Sequence, residues 1–299
     1  MGWRVLYISE SEYLSTILDN LQVKVSEDQK LLVPLKDIHS IIIDNYKLVM
    51  SVQLINKCAE NNINVVVCGI DHNPNVIMIP HNGHHQMAKV LKDQMDWSTD
   101  KKAIVHQIIV QHKIKQQYRA LVICDKAMNS KSELVNSYID EVEISDSTNR
   151  EGLASKVYFR LMFGEGFQRF DDDIINAGLN FGYAILRSQI TKVLVSKGLN
   201  TSLGIFHRGP ANMFNLADDI IEVYRPIIDI WVYNHLRLTD KFTKEHRVAL
   251  IKISTINIRY GNLNQSLLNS MVLYVESIMN YFTDDMKIIF PEIVETDEL

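Results

Sequence analysis

Cysteine, proline and glycine are scarce in this chain, and its apolar runs are short. Among 299 residues there are 3 cysteines, 6 prolines and 12 glycines. Cys58, Cys68 and Cys124 stand apart in apolar surroundings, without C-x-x-C spacing. That excludes a disulfide framework and a cysteine zinc site, and leaves all three as small core residues. So little proline and glycine leaves no room for long flexible linkers. No stretch approaches the roughly 20 apolar residues that cross a bilayer. The opening Met1-Gly2-Trp3-Arg4-Val5-Leu6 has no signal-peptide pattern, and Leu6 stands where a myristoylation site needs Ser or Thr. A soluble, cytoplasmic protein with no membrane partner is expected, and 46% hydrophobic with 22% charged residues is ordinary for a globular one.

The net charge of -5 is mildly unfavourable for binding phosphates, but local distribution matters more than the sum. Between Lys89 and Arg119, seven basic residues (Lys89, Lys92, Lys101, Lys102, Lys113, Lys115, Arg119) face three acids (Asp93, Asp96, Asp100). Between Leu236 and Arg259, six (Arg237, Lys241, Lys244, Arg247, Lys252, Arg259) face two (Asp240, Glu245). Taken alone, both clusters are solvated helix faces.

The chain changes character near residue 81. Before it, Trp3–Ile8, Leu14–Leu18, Leu21–Val25, Leu31–Pro34 and Ile38–Ile43 are short runs rich in Val, Ile and Leu, punctuated by Asp19-Asn20 and Glu27-Asp28. Met50–Asn61 has helical spacing, and Ile63–Cys68 and Asn75–Ile79 are two more strands. One sheet with one packed helix is the simplest assembly. His81-Asn82-Gly83-His84-His85 is a polar junction. Beyond it the period becomes 3.6 over Trp97–Cys124, Asn149–Phe163, Asp172–Lys197, Ala217–Leu236, Lys244–Ile253 and Asn264–Tyr281. Ser98-Thr99-Asp100 can cap a helix start, and Gly198 sits where a helix-ending glycine belongs. The class is α+β: a small β-rich domain over 1–80, a linker over 81–96, and a larger all-helical domain over 97–299.

Three places in the helical half can carry chemistry. In Asn149–Phe159, Glu151, Ser155 and Tyr158 share one helix face, and Ala154 and Met162 flank it, so Glu151 can point inward. The plain alternative is a capping box, because Thr148-x-x-Glu151 has its pattern. In Leu203–Pro210, His207 lies on a loop between an apolar step and a Gly-Pro turn, where a ligand, a base or a hydrogen-bonded structural histidine would all be at home. In Asn215–Pro226, Asp219 and Glu222 are i, i+3 neighbours, with Arg225 one turn beyond as a possible partner. The plain alternative there is an acidic first turn favoured by the helix dipole. Two carboxylates and one imidazole together suit Mg²⁺ or Mn²⁺.

Together these segments resemble the CRISPR-associated integrase family. Asn149–Phe159 resembles its glutamate motif, and Asn176-Ala177-Gly178-Leu179-Asn180-Phe181-Gly182-Tyr183-Ala184-Ile185-Leu186 is similar to its N-A-x-L-N-Y-G-Y-x-x-L helix, with Phe181 for the usual Tyr. Gly204–Arg208 and Asp219–Pro226 resemble its histidine step and its D-x-x-E-x-x-R-P segment, in the family's order. The opening Gly2-Trp3-Arg4 and the N-R-E-G segment are most similar to the type II branch. The resemblance implies that Glu151, His207 and Glu222 are catalytic metal ligands for Mg²⁺ or Mn²⁺. Asp219 would then stand behind them or stabilise its helix, and Tyr183 and Arg225 would support phosphate. It implies a metal-dependent DNA endonuclease and integrase that inserts spacer DNA into a CRISPR array by transesterification at the repeat boundary. It also implies double-stranded DNA as substrate, a homodimer through the β domain, a complex with the small Cas2 partner, and a link to the RNA-guided effector nuclease of type II systems. On this footing the two basic clusters become DNA-backbone contacts. A non-catalytic DNA-binding scaffold of the same assembly is the alternative.

Overall fold

The structure, a computed structural model, describes residues 2–25, 29–80, 84–127, 130–295 and 299. The expected turn at Glu27-Asp28 and the residues His81, Asn82 and Gly83 of the expected junction lie outside the described residues. The chain divides into two compact units, Met1–Leu91 with Thr191–Leu199, and Lys92–Ile190 with Asn200–Leu299.

The first unit carries β1 (Arg4–Ile8), β2 (Tyr13–Ile17), β3 (Asn20–Lys24), β4 (Lys30–Pro34), β5 (Ile38–Ile43), β6 (Val49–Met50), α1 (Val52–Glu60), β7 (Asn64–Cys68) and β8 (Pro74–Met78). These form two sheets, ordered β1-β5-β7-β8 and β4-β3-β2-β6, where a single sheet was expected. The reason is topological. Strands β1 and β5 pair in parallel, which a tight hairpin cannot achieve, and the β2–β4 meander that connects them forms the second layer. Leu18 and Asp19 turn β2 into β3 with φ of 47° and 56°, as a two-residue hairpin requires. Strand β5 is buried along its whole length. Its Ile41 and Ile43 join Leu14, Leu21 and Val33 of the other sheet, and Leu54 and Cys58 of α1, in one core. Helix α1 ends at its C-cap Asn61, and Asn62 follows in the left-handed region at φ 52°.

The expected linker contains a helix, α2 (Met87–Met95). Its Gln94 is buried because its amide donates to Asn200 O and Leu203 O and accepts from Asn200 N. Then follow α3 (Thr99–Ile123), α4 (Ser130–Ser137), α5 (Arg150–Phe163), α6 (Ile174–Ser196), α7 (Asn215–Ile221), α8 (Arg225–Leu236), α9 (Lys244–Lys252), β9 (Asn257–Tyr260), β10 (Leu263–Ser266), α10 (Leu267–Asp284) and β11 (Pro291–Glu292). Ser98 caps α3 by accepting from Lys101 N, and Gly198 lies just past α6 at φ +81°. Two expectations need correction. Ala217–Leu236 is two helices, because Pro226 has no N–H to continue a ladder and opens a new helix instead. The half read as all-helical also holds a small sheet, ordered β10-β9-β11, so the helix expected from Asn264 starts at Leu267, capped by Ser266. No helix among the described residues is long and apolar enough to cross a membrane.

Helices α6 and α8 meet over glycine. A Cβ on Gly182 would lie 2.4 Å from Ile228 Cγ2, and one on Gly178 would lie 2.3 Å from Leu236 Cδ1. This close crossing places the start of α8, and with it Arg225, beside Tyr183 of α6.

Candidate functional site

Glu151 is free of capping duty. The left-handed Asn149 caps α5 by accepting from Gly152 N, and Asp146 accepts from Arg150 N (2.7 Å) and Glu151 N (3.0 Å). Thr148 is not the cap, so the capping-box alternative does not hold. With the end of α5 closed by Asn149 and Asp146, the Glu151 side chain turns inward and accepts from Lys113 Nζ at 2.5 Å. One turn on, Ser155 accepts from Gln117 Nε2 of α3, and Tyr158 is fully buried. The shared helix face read from the sequence is therefore the face on α3.

The loop before α7 is wound around one carboxylate. Buried Asp219 accepts from Ile205 N (2.6 Å), Phe206 N (3.0 Å) and His207 N (3.1 Å), and meets His207 Nδ1 at 2.6 Å. The loop needs Gly204, since a Cβ there would lie 2.3 Å from His207 O and 2.9 Å from Asp219 Oδ2. A carboxylate can only accept, so this contact fixes the proton of neutral His207 on Nδ1 and leaves its lone pair on Nε2. The hydrogen bond to Asp219 raises the His207 pKa above the ordinary value. Beside it, Phe206 stacks on buried His106 with ring centroids 3.7 Å apart, and burial lowers the His106 pKa.

Glu222 follows directly after α7 and is 6% exposed. One oxygen lies 3.0 Å from an Arg225 nitrogen and the other 2.5 Å from Lys113 Nζ. Lys113, buried in the middle of α3, thus puts one ammonium between two carboxylates. Burial pulls its pKa down, but attraction first to Glu222 and then to Glu151 outweighs that, and the net shift is upward. The same ammonium holds the Glu151 carboxyl below its ordinary range. His106, Lys113, Glu151, His207, Asp219 and Glu222 line one pocket, with Ile109, Val110, Ile205 and Phe206 as its apolar wall.

The three residues read from the sequence as ligands therefore share a pocket. Among the described residues, however, no three His, Cys, Asp or Glu side chains converge closely enough to hold a metal ion. The cation between Glu151 and Glu222 is Lys113. The donor set nevertheless fits a hard dication. The carboxylate pair already brackets one positive charge, and an imidazole whose Nδ1 is held by a carboxylate is the usual form of a metal-bound histidine.

Behind the pocket, Tyr158 donates to Asp229 Oδ2 at 2.8 Å, and Tyr183 donates to its other oxygen. This ties α5, α6 and α8 together on one buried acid. Burial raises the Asp229 pKa to about 6. The resemblance assigns Tyr183 a supporting role toward phosphate. Its hydroxyl is instead engaged by Asp229, and its ring lies under the Arg169 and Arg225 guanidinium groups.

The chain matches the family described as CRISPR associated protein Cas1 over residues 6–257. It belongs to the Cas1 family. A relative named CRISPR-associated endonuclease Cas1, from Neisseria meningitidis serogroup C, is 33% identical over 304 residues, covering 100% of this chain and 99% of its own. Two solved structures share the fold. A casposase bound to integration product matches at TM-score 0.80 and 16% identity, covering 95% of this chain and 92% of that one. A Cas6-RT-Cas1–Cas2 complex matches at TM-score 0.71 and 19% identity, covering 95% of this chain and 35% of that one. The N-terminal sheets followed by helices are thus the Cas1 arrangement.

Sequence reasoning assigned Lys113 to a DNA-facing cluster. The signal for its burial was Ile109 and Val110, which precede it by four and three residues on the same face of α3. Other members of that cluster are also paired. Lys101 binds Asp285 and Phe282 O, and Lys115 and Arg119 face Glu292.

Proposed function

We propose that this Cas1-family chain is a cytoplasmic DNA nuclease and integrase of CRISPR adaptation, using Mg²⁺ or Mn²⁺ at Glu151, His207 and Glu222. The observation that carries this reading is that Glu151 of α5 and Glu222, just after α7, share a single cation in the pocket that His207 also lines. The names of the Neisseria relative and of the casposase structure point the same way.

The reaction is phosphoryl transfer. A DNA 3′-oxygen attacks phosphorus at the repeat boundary, one P–O bond forms, another breaks, and the displaced strand leaves with a 3′-hydroxyl. Water in place of the attacking hydroxyl gives hydrolysis. A bound dication would supply charge stabilisation at the phosphate oxygens and make the attacking oxygen more nucleophilic. The chain's own residues set up that chemistry. Glu151 and Glu222 supply the negative charge that attracts the cation. Asp219 holds the His207 ring so that Nε2 carries the lone pair. Arg225 is anchored on Glu222 and Tyr183 and places a guanidinium next to the site for a backbone phosphate.

The family reading extends to partners: double-stranded DNA from spacer precursor and repeat, a homodimer through the N-terminal sheets, the small Cas2 protein, and a type II effector nuclease. Among the basic residues, Lys89, Lys92, Lys241 and Lys252 are candidates for the DNA backbone, and their loss would flatten the salt dependence of binding.

The Lys113 bridge favours a second reading, a DNA-binding scaffold in which that lysine permanently replaces a metal. One variant decides between them. Glu222→Ala, with its fold checked by circular dichroism, abolishes Mn²⁺-dependent strand joining under the first reading. Undiminished joining would remove that reading. A wild-type protein that neither joins strands nor binds Mn²⁺ in calorimetry would establish the scaffold.

A further inference from the structure

We infer that Lys113 is an exchangeable internal cation: its ammonium occupies the Glu151–Glu222 pair in the metal-free chain and is displaced when a divalent ion binds. The inference deepens the metal reading above and rests on it.

Geometry is the first ground. Lys113 Nζ lies 2.5 Å from a carboxylate oxygen of each glutamate. Two such contacts on one nitrogen leave the oxygens at most about 5 Å apart, within the span of two oxygens bound to one dication at about 2.0–2.6 Å each. The ammonium therefore occupies space that a shared divalent ion would need, and both cannot be there together.

Electrostatics is the second. Glu222 is buried, and its Oε2, the oxygen facing Lys113, makes no well-aligned hydrogen bond. Two carboxylates this close and this enclosed repel each other unless a positive charge lies between them. In the metal-free chain that charge comes from α3, where Lys113 shares a buried face with the apolar Ile109 and Val110. Arg225 does not fill this role, since its guanidinium meets the other oxygen of Glu222, at 3.0 Å.

Exchange is the third. A lysine has a flexible four-carbon stem and no directional fork, so its head can swing away when the carboxylates find a doubly charged partner. Lys113 would then keep the pocket folded and closed to weakly bound cations, and only an ion that outcompetes the ammonium would enter. This makes Lys113 a positioning residue, acting on the two glutamates rather than on DNA.

The test compares wild type, Lys113→Met, Glu222→Gln and the double variant Lys113→Met/Glu222→Gln. Metal-free melting temperatures are read first, then Mn²⁺ affinity by calorimetry. Lys113→Met is expected to melt several degrees lower than wild type without metal, from the charge repulsion it uncovers. The double variant, with one carboxylate neutralised, is expected to recover most of that loss, which simple removal of packing would not allow. If Lys113→Met does not fold without metal, the double variant still reads the repulsion. Lys113→Met is expected to bind Mn²⁺ about tenfold more tightly than wild type, because no ammonium has to be displaced. Mn²⁺ binding that is lost in Glu222→Gln, yet equal or weaker in Lys113→Met, would overturn the exchange and leave the metal reading standing. Absence of Mn²⁺ binding in wild type and Lys113→Met alike would sink the metal reading, and the exchange with it.

Discussion

Asp219 holds His207 at both its backbone and its ring, accepting from the peptide N–H at 3.1 Å and meeting Nδ1 at 2.6 Å. The same carboxylate also takes Ile205 N and Phe206 N. Removing it exposes both a structural and a chemical dependence.

The chemical one is read from pH. The bond to Asp219 raises the His207 pKa, so the group's contribution to stability is full below its unfolded pKa and is lost as pH rises through the raised folded one. Metal binding has the opposite sign, because an imidazolium cannot coordinate. Mn²⁺-dependent joining should therefore fall as pH drops through the raised value. In Asp219→Asn that acid limb should move to lower pH, whatever happens to the maximal rate. A pH profile of joining for both proteins checks it, and an unmoved limb would detach Asp219 from the chemistry.

Glu151 should behave as a ligand and not as a cap. Because Asn149 and Asp146 close the start of α5, Glu151→Gln should leave helix content unchanged. Strand joining should fall by about 10²–10³, the scale of losing one designed electrostatic contact at a reacting centre. Circular dichroism and a joining assay on one preparation measure both. A large loss of helix would return Glu151 to the capping role.

Asp229 makes stability depend on pH in a sense opposite to most carboxylates. Burial raises its pKa to about 6, so the fold binds a proton more readily than the unfolded chain. Its contribution is complete below the unfolded value and is lost as pH rises through about 6. Asp229→Asn keeps a neutral group between Tyr158 and Tyr183 at every pH. The melting temperature of the variant relative to wild type should therefore rise between pH 5 and pH 7.5, by roughly 2–3 °C. Calorimetric melting at the two pH values gives the difference directly.

The α6–α8 crossing should be intolerant of a methyl group. Gly182→Ala brings a Cβ to 2.4 Å from Ile228 Cγ2 and should destabilise by about 1–3 kcal/mol, even after alanine's better helix propensity. Adding Ile228→Ala should recover part of that loss if the clash is its source. Urea unfolding of the single and double variants measures the coupling.

How far the sequence showed this follows from which forces are local. A continuous run rich in Ile placed β5, and a period of 3.6 placed α3, each within a residue or two, since full burial on both faces writes an apolar run and one-sided burial a helical period. Pro226 stood in plain view as the break between α7 and α8, but the apolar pattern running through it concealed the split. Hairpin β9–β10 was missed because four-residue strands at a surface leave little periodic signal. The pocket was legible in part. Glu151, His207 and Glu222 stood out as motifs, and Arg225 as a partner for Glu222. That Asp219 would gather three N–H groups, or that Lys113 would meet both glutamates, depends on how α3, α5 and α7 pack, and no local pattern encodes it.

The central claim is one divalent site built from three side chains, and a calorimetric Mn²⁺ titration tests it most directly. Wild type should bind a single ion with saturable heat near neutral pH, and Glu151→Gln, His207→Ala and Glu222→Gln should each weaken that binding at least about tenfold while remaining folded. Binding that survives unchanged in all three variants would place the metal elsewhere and contradict the account.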